Sequence, residues 1–161
     1  MKNIVWEFTN QRKLNKSEFI DYFERKVFRT IRKYDILPKD KIIKLKESNY
    51  LNYKVLKNII SKKFEVKKSN KPNILDDNLS EVAEIIFNNI LEGDFSGPTP
   101  NKRPLYFLSD REVELYANLM NIAGEKRKQN KRIQNLFKKF LKKNQDLEIN
   151  IVKVLSQIVK N

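Results

Sequence analysis

The sequence predicts a helix-rich α/β domain with two or three short strands and about six helices. Three observations carry this. First, Asn15 with Glu18, Asn78 with Glu81 and Ser109 with Glu112 each place a capping residue three positions before a glutamate and ahead of an apolar stripe, so each pair opens a helix. Second, the short β-prone runs Ile4 to Phe8 and 42–46 (IIKLK) are candidate strands. Third, a chain of 161 residues suggests one domain, 1–161, able to bury roughly 70% of its unfolded surface.

In chain order, Ile4 to Phe8 is the first strand. The helix opened by Asn15 carries Ile20, Phe23, Val27, Ile31 and Tyr34 on one stripe, leaves Arg25, Arg29, Arg32 and Lys33 largely off it, and stops before Pro38. After the turn 38–40, Lys41 to Lys46 is a second strand. A helix over about 49–62 follows, with Leu51, Val55, Leu56 and Ile59 inside. Phe64 to Lys67 is a possible third strand, and 69–72 is a turn. Asn78 opens a helix whose core stripe is Leu79, Val82, Ala83, Ile86 and Ile90. The segment 92–104 holds two of the three glycines and three of the five prolines and reads as a loop. Ser109 opens a helix to Asn121 through Val113, Tyr116, Ala117 and Met120, and Gly124 breaks the chain. From Glu125 to Lys143 the pattern predicts one basic amphipathic helix, with Ile133, Leu136, Phe137, Phe140 and Leu141 on its apolar face. A last helix is built on Ile149, Val152, Leu155, Ile158 and Val159.

Composition narrows the chemistry. There is no cysteine and no histidine, which excludes disulfides, thiolate–zinc sites, cysteine-held iron–sulfur clusters and imidazole acid–base catalysis by these residues. The formal charge is +14 and the pI about 9.8. A polyanionic partner would account for this balance, and so would a general bias toward lysine. The distribution favours the partner: from Asp76 to Asp94 there are six acids and no Lys or Arg, so the positive charge is segregated. The basic stretch 126–143 fits an RNA contact, a solvated face, a membrane surface or an acidic partner. Asp76 and Asp77 could hold a divalent cation, although a helix N-terminus stabilised by negative charge is the simpler account. No apolar run reaches the ~20 residues of a membrane span, and the N-terminus lacks a signal-peptide core, so a cytoplasmic protein is expected.

Four blocks resemble one family. Arg103-Pro104-Leu105-Tyr106, followed by Arg111-Glu112-Val113 and Leu115-Tyr116-Ala117, is similar to a segment that closes the catalytic domain of the PP-loop ATPases that thiolate tRNA, the 2-thiouridine sulfurtransferases and their cytoplasmic relatives. Phe19-Ile20, 22–27 and 29–34 resemble the helix that follows the family's N-terminal zinc module. Asn78-Leu79, Ala83, Asn89 and Gly93-Asp94 fit a third segment, and 149–158 resembles the family's C-terminal pattern.

The resemblance implies a PP-loop ATPase-like core, and it also marks what differs. The family's S-G-G-x-D-S loop falls on Glu47, Ser48, Asn49, Tyr50, Leu51 and Asn52, without a glycine to let backbone N–H groups close round a pyrophosphate. A Cys and a His flanking the first helix fall on Asn15 and Glu18, and the family's paired aspartates fall on Ser80 and Glu81. Between 67 and 74 the family carries more chain. The expectation is therefore a degenerate, truncated relative with no enzymatic activity, no catalytic residue, no metal and no cofactor. It divides into a remnant nucleotide-binding core (17–94), a loop (95–104) and a basic helical region (105–161).

The expected role is an accessory or tRNA-binding subunit, beside an active thiolation-enzyme paralogue, away from membranes and in a dimer or hetero-complex. Its nucleic-acid contacts would be Arg25, Arg29, Arg32, Lys33, Lys102, Arg103, Lys126, Arg127, Lys128, Lys131, Arg132, Lys138, Lys139, Lys142 and Lys143. Two alternatives stand beside it: a stand-alone RNA-binding protein, and a protein-interaction module docking through the acidic helix 78–91.

Overall fold

The elements alternate as the caps predict. The computed structural model describes residues 3–142 and 144–160, the side chains of 158–160 excepted. The order is β1 (Ile4–Glu7), β2 (Lys13–Asn15), α1 (Lys16–Lys33), β3 (Ile42–Leu45), α2 (Leu51–Ile60), β4 (Glu65–Lys68), α3 (Leu79–Leu91), α4 (Asp110–Leu119), α5 (Lys131–Leu141) and α6 (Leu147–Lys160). Among the described residues there are thus six helices, as expected, and four strands rather than two or three. The unforeseen strand is β2, three residues long, which pairs antiparallel with β1 across a turn where Gln11 takes a positive φ of 68°. Its three residues are too few to show an alternation.

Two caps form as reciprocal boxes. The Asn15 side chain accepts from Glu18 N–H at 2.9 Å while Glu18 accepts from Asn15 N–H at 3.1 Å, and Ser109 and Glu112 do the same. At α3 only half forms: Asn78 accepts from Glu81 N–H at 3.1 Å, and its amide donates to Asp110 at 2.8 Å. α4 ends where Asn121 adopts the left-handed conformation (φ 56°) and Ile122 N–H returns to Ala117 O at 2.8 Å.

β3, α2 and β4 form a βαβ unit with a parallel pair running from Ile42↔Glu65 to Leu45↔Lys68. The other edge of β3 is covered by its own chain. Asn73 imitates a third strand: its amide donates to Ile42 O at 3.0 Å, its side-chain oxygen accepts from Lys44 N–H at 2.8 Å, and its backbone N–H donates to Lys44 O at 3.1 Å. The uncovered edge that suggested a dimer is thereby closed at this point.

Two apolar cores result. The first gathers Phe19, Phe23, Val27, Ile43, Leu56, Leu105 and Tyr116 from α1, β3, α2 and α4, with Phe23 and Tyr116 stacked at 4.4 Å. The second joins α3, α5 and α6 through Val82, Ile86, Tyr106, Ile133, Phe137, Val152 and Leu155.

The main departure from the sequence reading lies at 125–130. The basic helix expected from Glu125 starts at Lys131, capped by Asn130, whose side chain accepts from Ile133 N–H at 3.3 Å. Residues 125–130 are an extended strap instead. The sequence 126–132 has no apolar residue, so a helix there would have no face to bury against its like-charge repulsion.

Candidate nucleic-acid interface

The strap decides which cations reach solvent. Arg127 turns inward, its side chain only 7% exposed, and forks onto two carboxylates. Its guanidinium meets Glu84 at 2.8 and 3.0 Å and Asp110 at 2.8 and 2.7 Å. Gln134 also bonds Glu84, and Asn130 N–H donates to it at 3.3 Å. These carboxylates and hydrogen bonds outweigh burial and hold Arg127 charged, its pKa raised. Arg127 is therefore withdrawn from the expected contact set: two N–H edges of its guanidinium are already bound to carboxylates. Arg103 is withdrawn for the same reason. It pairs with Asp77 at 2.8 Å and donates to the Thr99 and Asn101 carbonyls.

The same bonds engage part of the acidic segment. Glu84 is buried and ion-paired and Asp77 is matched by Arg103, while Asp94 accepts from Ser96 N–H and Oγ in the loop. Of the six acids of 76–94, Glu84 alone is buried, while Glu92 and Asp94 are exposed.

The remaining expected cations are exposed. Arg25 pairs with Asp21 at 3.0 Å on the surface, a contact of little energetic weight, and Lys126 stands 3.7 Å from Glu114. Arg29, Arg32, Lys33, Lys102, Lys128, Lys131, Arg132, Lys138, Lys139 and Lys142 are exposed, with no ion pair among the described residues. Lys143 lies outside the described residues. The cations form two groups, one on α1 and one running from the strap along α5. Leu136 and Phe140 are also exposed on α5, at 44% and 61%, so the basic helix carries apolar surface beside its lysines.

Glu47 to Asn52 span the connection from β3 into the start of α2, and the strap bonds to this connection. Leu51 N–H, the first of α2, donates to Glu125 O at 2.8 Å, and Glu125 N–H donates to Asn49 O at 2.8 Å. Tyr50 caps α2 without a side-chain bond, and its N–H donates to Ser48 Oγ at 3.3 Å. Glu47 pairs with Lys68. Glycine at 124 is what lets the strap come this close: a Cβ there would lie 3.0 Å from Asn49 O and 3.1 Å from the Leu51 and Lys54 side chains.

A cavity of about 360 Å³ adjoins the loop, lined in part by Lys46, Ser48, Asp76, Glu81 and Lys128. Burial and the neighbouring Asp77 push the Glu81 carboxyl up to about 7, and burial with Asp77 also raises Asp76. Among the described residues no three His, Cys, Asp or Glu side chains gather to hold a metal ion.

With this geometry in view, the solved structures supply a fold. The chain superposes on the U34-tRNA thiolase NcsA from Methanococcus maripaludis with its [4Fe-4S] cluster, with a TM-score of 0.77 at 14% identity, over 99% of this chain and 85% of that one. The fold is PP-loop ATPase-like. No protein-family model and no curated protein matches the sequence.

This match corrects the expectation that the chain is not an enzyme, because the fold it shares is that of a thiolase. What the missing cysteines exclude is narrower: with no thiolate in its 161 residues, the chain cannot ligate an iron–sulfur cluster through cysteine, so its donor set does not fit that group. Nor does an overlay covering 85% of the neighbour support the truncation read from the sequence. No described helix is long and apolar enough to cross a membrane.

Sequence reasoning missed Lys26. Its ammonium donates to Tyr22 Oη at 3.1 Å, and burial lowers its pKa against the opposing charge of Glu112, with the charges of Arg29 and Lys153 adding to the lowering. Helical periodicity alone would have placed Lys26 beside Arg29 on α1. The Glu112 carboxylate that bonds Tyr22 beside it comes from α4, 90 residues from Tyr22, with no local signature.

Proposed function

We propose that the protein binds structured RNA, tRNA first, and works in connection with tRNA thiolation as the tRNA-holding partner of a thiolation enzyme. The observation that carries the reading is the exposed cationic run Lys128, Lys131, Arg132, Lys138, Lys139 and Lys142 on the strap and α5, without an ion pair among the described residues. Lysines at i and i+4 oppose the helix by a few tenths of a kcal/mol each, and a polyanion relieves that repulsion while releasing its counterions. The thiolase fold supplies the choice of tRNA as an analogy at fold level. The α1 cations Arg25, Arg29, Arg32 and Lys33, with Lys102 of the loop, extend the contact.

The test is a tRNA titration of the purified protein at several salt concentrations, with duplex DNA of equal charge as competitor. Preference for tRNA that persists near ~0.15 M salt is expected. Changing Lys138, Lys139 and Lys142 together to Glu should weaken it at least tenfold. Weak, equal binding to tRNA and DNA with a steep salt slope would reduce the charge to a non-specific field and sink the reading.

A further inference from the structure

α5 packs one side of itself into the protein and leaves an aromatic ring outside. Ile133 and Phe137 carry its packing in the second core. Leu136 and Phe140 stand off that face, and Phe140, at 61%, is the most exposed large apolar side chain among the described residues. No aromatic ring or cation among those residues stacks on it.

The surroundings of this ring are cationic. Arg132, Leu136 and Phe140 recur every four residues, so they form one row along the helix. Lys139, three residues after Leu136, flanks the row. Arg132 and Lys139 are exposed and have no ion pair among the described residues, and α5 itself contains no acid. An exposed ring between cations takes a ligand that is flat in one part and anionic in the next. A nucleotide within a strand is both, because every base has a π-face and a phosphate on each side. Phe95, exposed at 52%, offers the contrast: it adjoins Asp94 and lies three residues from Glu92, both exposed acids that would repel phosphate.

Size argues against larger occupants. Two apolar side chains fall far short of the ~800 Å² that each partner contributes to a stable protein interface. A helix lying in a membrane surface inserts its whole apolar face, and that of α5 is already packed in the core. A stacked base needs one ring. A base inside a duplex is covered by its neighbours, so the base that reaches a side-chain ring is an unpaired one.

We propose that Phe140 and Leu136 form a platform on which one unpaired base of an RNA stacks, with Arg132 and Lys139 on the phosphates beside it. The ligand is therefore RNA with unpaired nucleotides, in a loop, a bulge or an end, in preference to continuous duplex. This rests on the RNA reading and adds to it the form of RNA that the α5 surface selects.

The test compares a single-stranded oligoribonucleotide with a blunt RNA duplex carrying the same number of phosphates, by fluorescence anisotropy with the full chain near ~0.15 M salt. The single strand should bind at least tenfold tighter. Phe140→Leu keeps an apolar side chain at this exposed position and removes the ring, and an unchanged melting curve checks that the fold is intact. It should weaken the single strand roughly fivefold or more, with the duplex affinity and the slope of log K against log salt unchanged. Phe140→Trp should hold the single strand at least as tightly as the unaltered protein. Lys138 and Lys142, each two residues from Phe140, project from the opposite side of the helix. Lys138→Glu with Lys142→Glu should weaken both RNAs in the same proportion and flatten the salt slope. Equal affinity for the two RNAs, or a Phe140→Leu protein that holds the single strand as tightly as the unaltered one, overturns the platform and leaves the RNA reading in place. Failure of every RNA to bind, tRNA included, removes both. Sedimentation with phosphatidylserine-containing vesicles, or concentration-dependent dimerisation, lost in Phe140→Glu while single-strand affinity is not, gives the patch to a membrane or a second copy and likewise overturns the proposal.

Discussion

At the scale of one residue, Arg127 shows how little of a buried ion pair is visible in sequence. It sits in a run of cations, and its partners Asp110 and Glu84 are 17 and 43 residues away. Nothing in the spacing separates it from Lys126 or Lys128, which stay exposed. Arg, with a planar fork matched to two carboxylates, is nonetheless the residue type suited to the position. Truncating it leaves Glu84 and Asp110 facing each other without a counter-charge. Arg127→Ala should therefore cost about 3–5 kcal/mol of unfolding free energy, the usual loss when one partner of a buried pair is removed. Lys126→Ala and Lys128→Ala should each stay within about 0.5 kcal/mol, as surface changes do. Urea denaturation of the three variants measures this. An Arg127→Ala protein as stable as the Lys128→Ala protein would mean the triad contributes nothing.

At the scale of elements, the caps were legible and the strap was not. Asn15, Asn78 and Ser109 begin their helices where the sequence says, because a cap is a local bond between residues three apart. Where a helix fails to form is decided by burial. Residues 126–132 have no apolar position, so tertiary bonds take the backbone instead: Leu51 to Glu125, Glu125 to Asn49, and Arg127 to the carboxylates. The sequence reading extended the helix of 131–141 backward through its charges and missed this. The strap that bonds positions 49 and 51 lies over 70 residues downstream and has no signature except Gly124. Gly124→Ala would press a methyl group against Asn49 O and Leu51, and should destabilise by about 1–3 kcal/mol, as overpacking does. Amide hydrogen exchange gives a sharper readout, with faster exchange expected at Leu51 N–H and Glu125 N–H and unchanged protection in α1. Equal protection at Leu51 in both proteins would show that the strap does not close the end of α2.

At the scale of the whole molecule, the two apolar cores meet across a polar seam, and that seam sets the response to pH. Glu148 of α6 is buried there. Burial pushes its carboxyl up to about 7, Asp110 and Glu84 push the same way, and the Ser80 hydroxyl and Arg127 oppose them. A carboxyl whose pKa is higher folded than unfolded binds its proton more tightly in the folded state. The stability it contributes is complete below its ordinary value of 4.5 and is lost as pH rises through about 7. A difference of this size corresponds to roughly 3 kcal/mol. Glu81, also raised to about 7 by burial and by Asp77, acts in the same direction. The protein should therefore unfold at lower urea concentration at pH 8 than at pH 5. This is opposite to proteins whose carboxylates are held charged by salt bridges. Glu148→Gln keeps the shape and removes the titration, so it should raise stability at pH 8, change it little at pH 5, and flatten the dependence by its own share, leaving that of Glu81. A urea midpoint that rises between pH 5 and pH 8 in the unaltered protein, or a Glu148→Gln curve parallel to it, would show that the seam carries its carboxyls ionised and that Arg127 alone balances them.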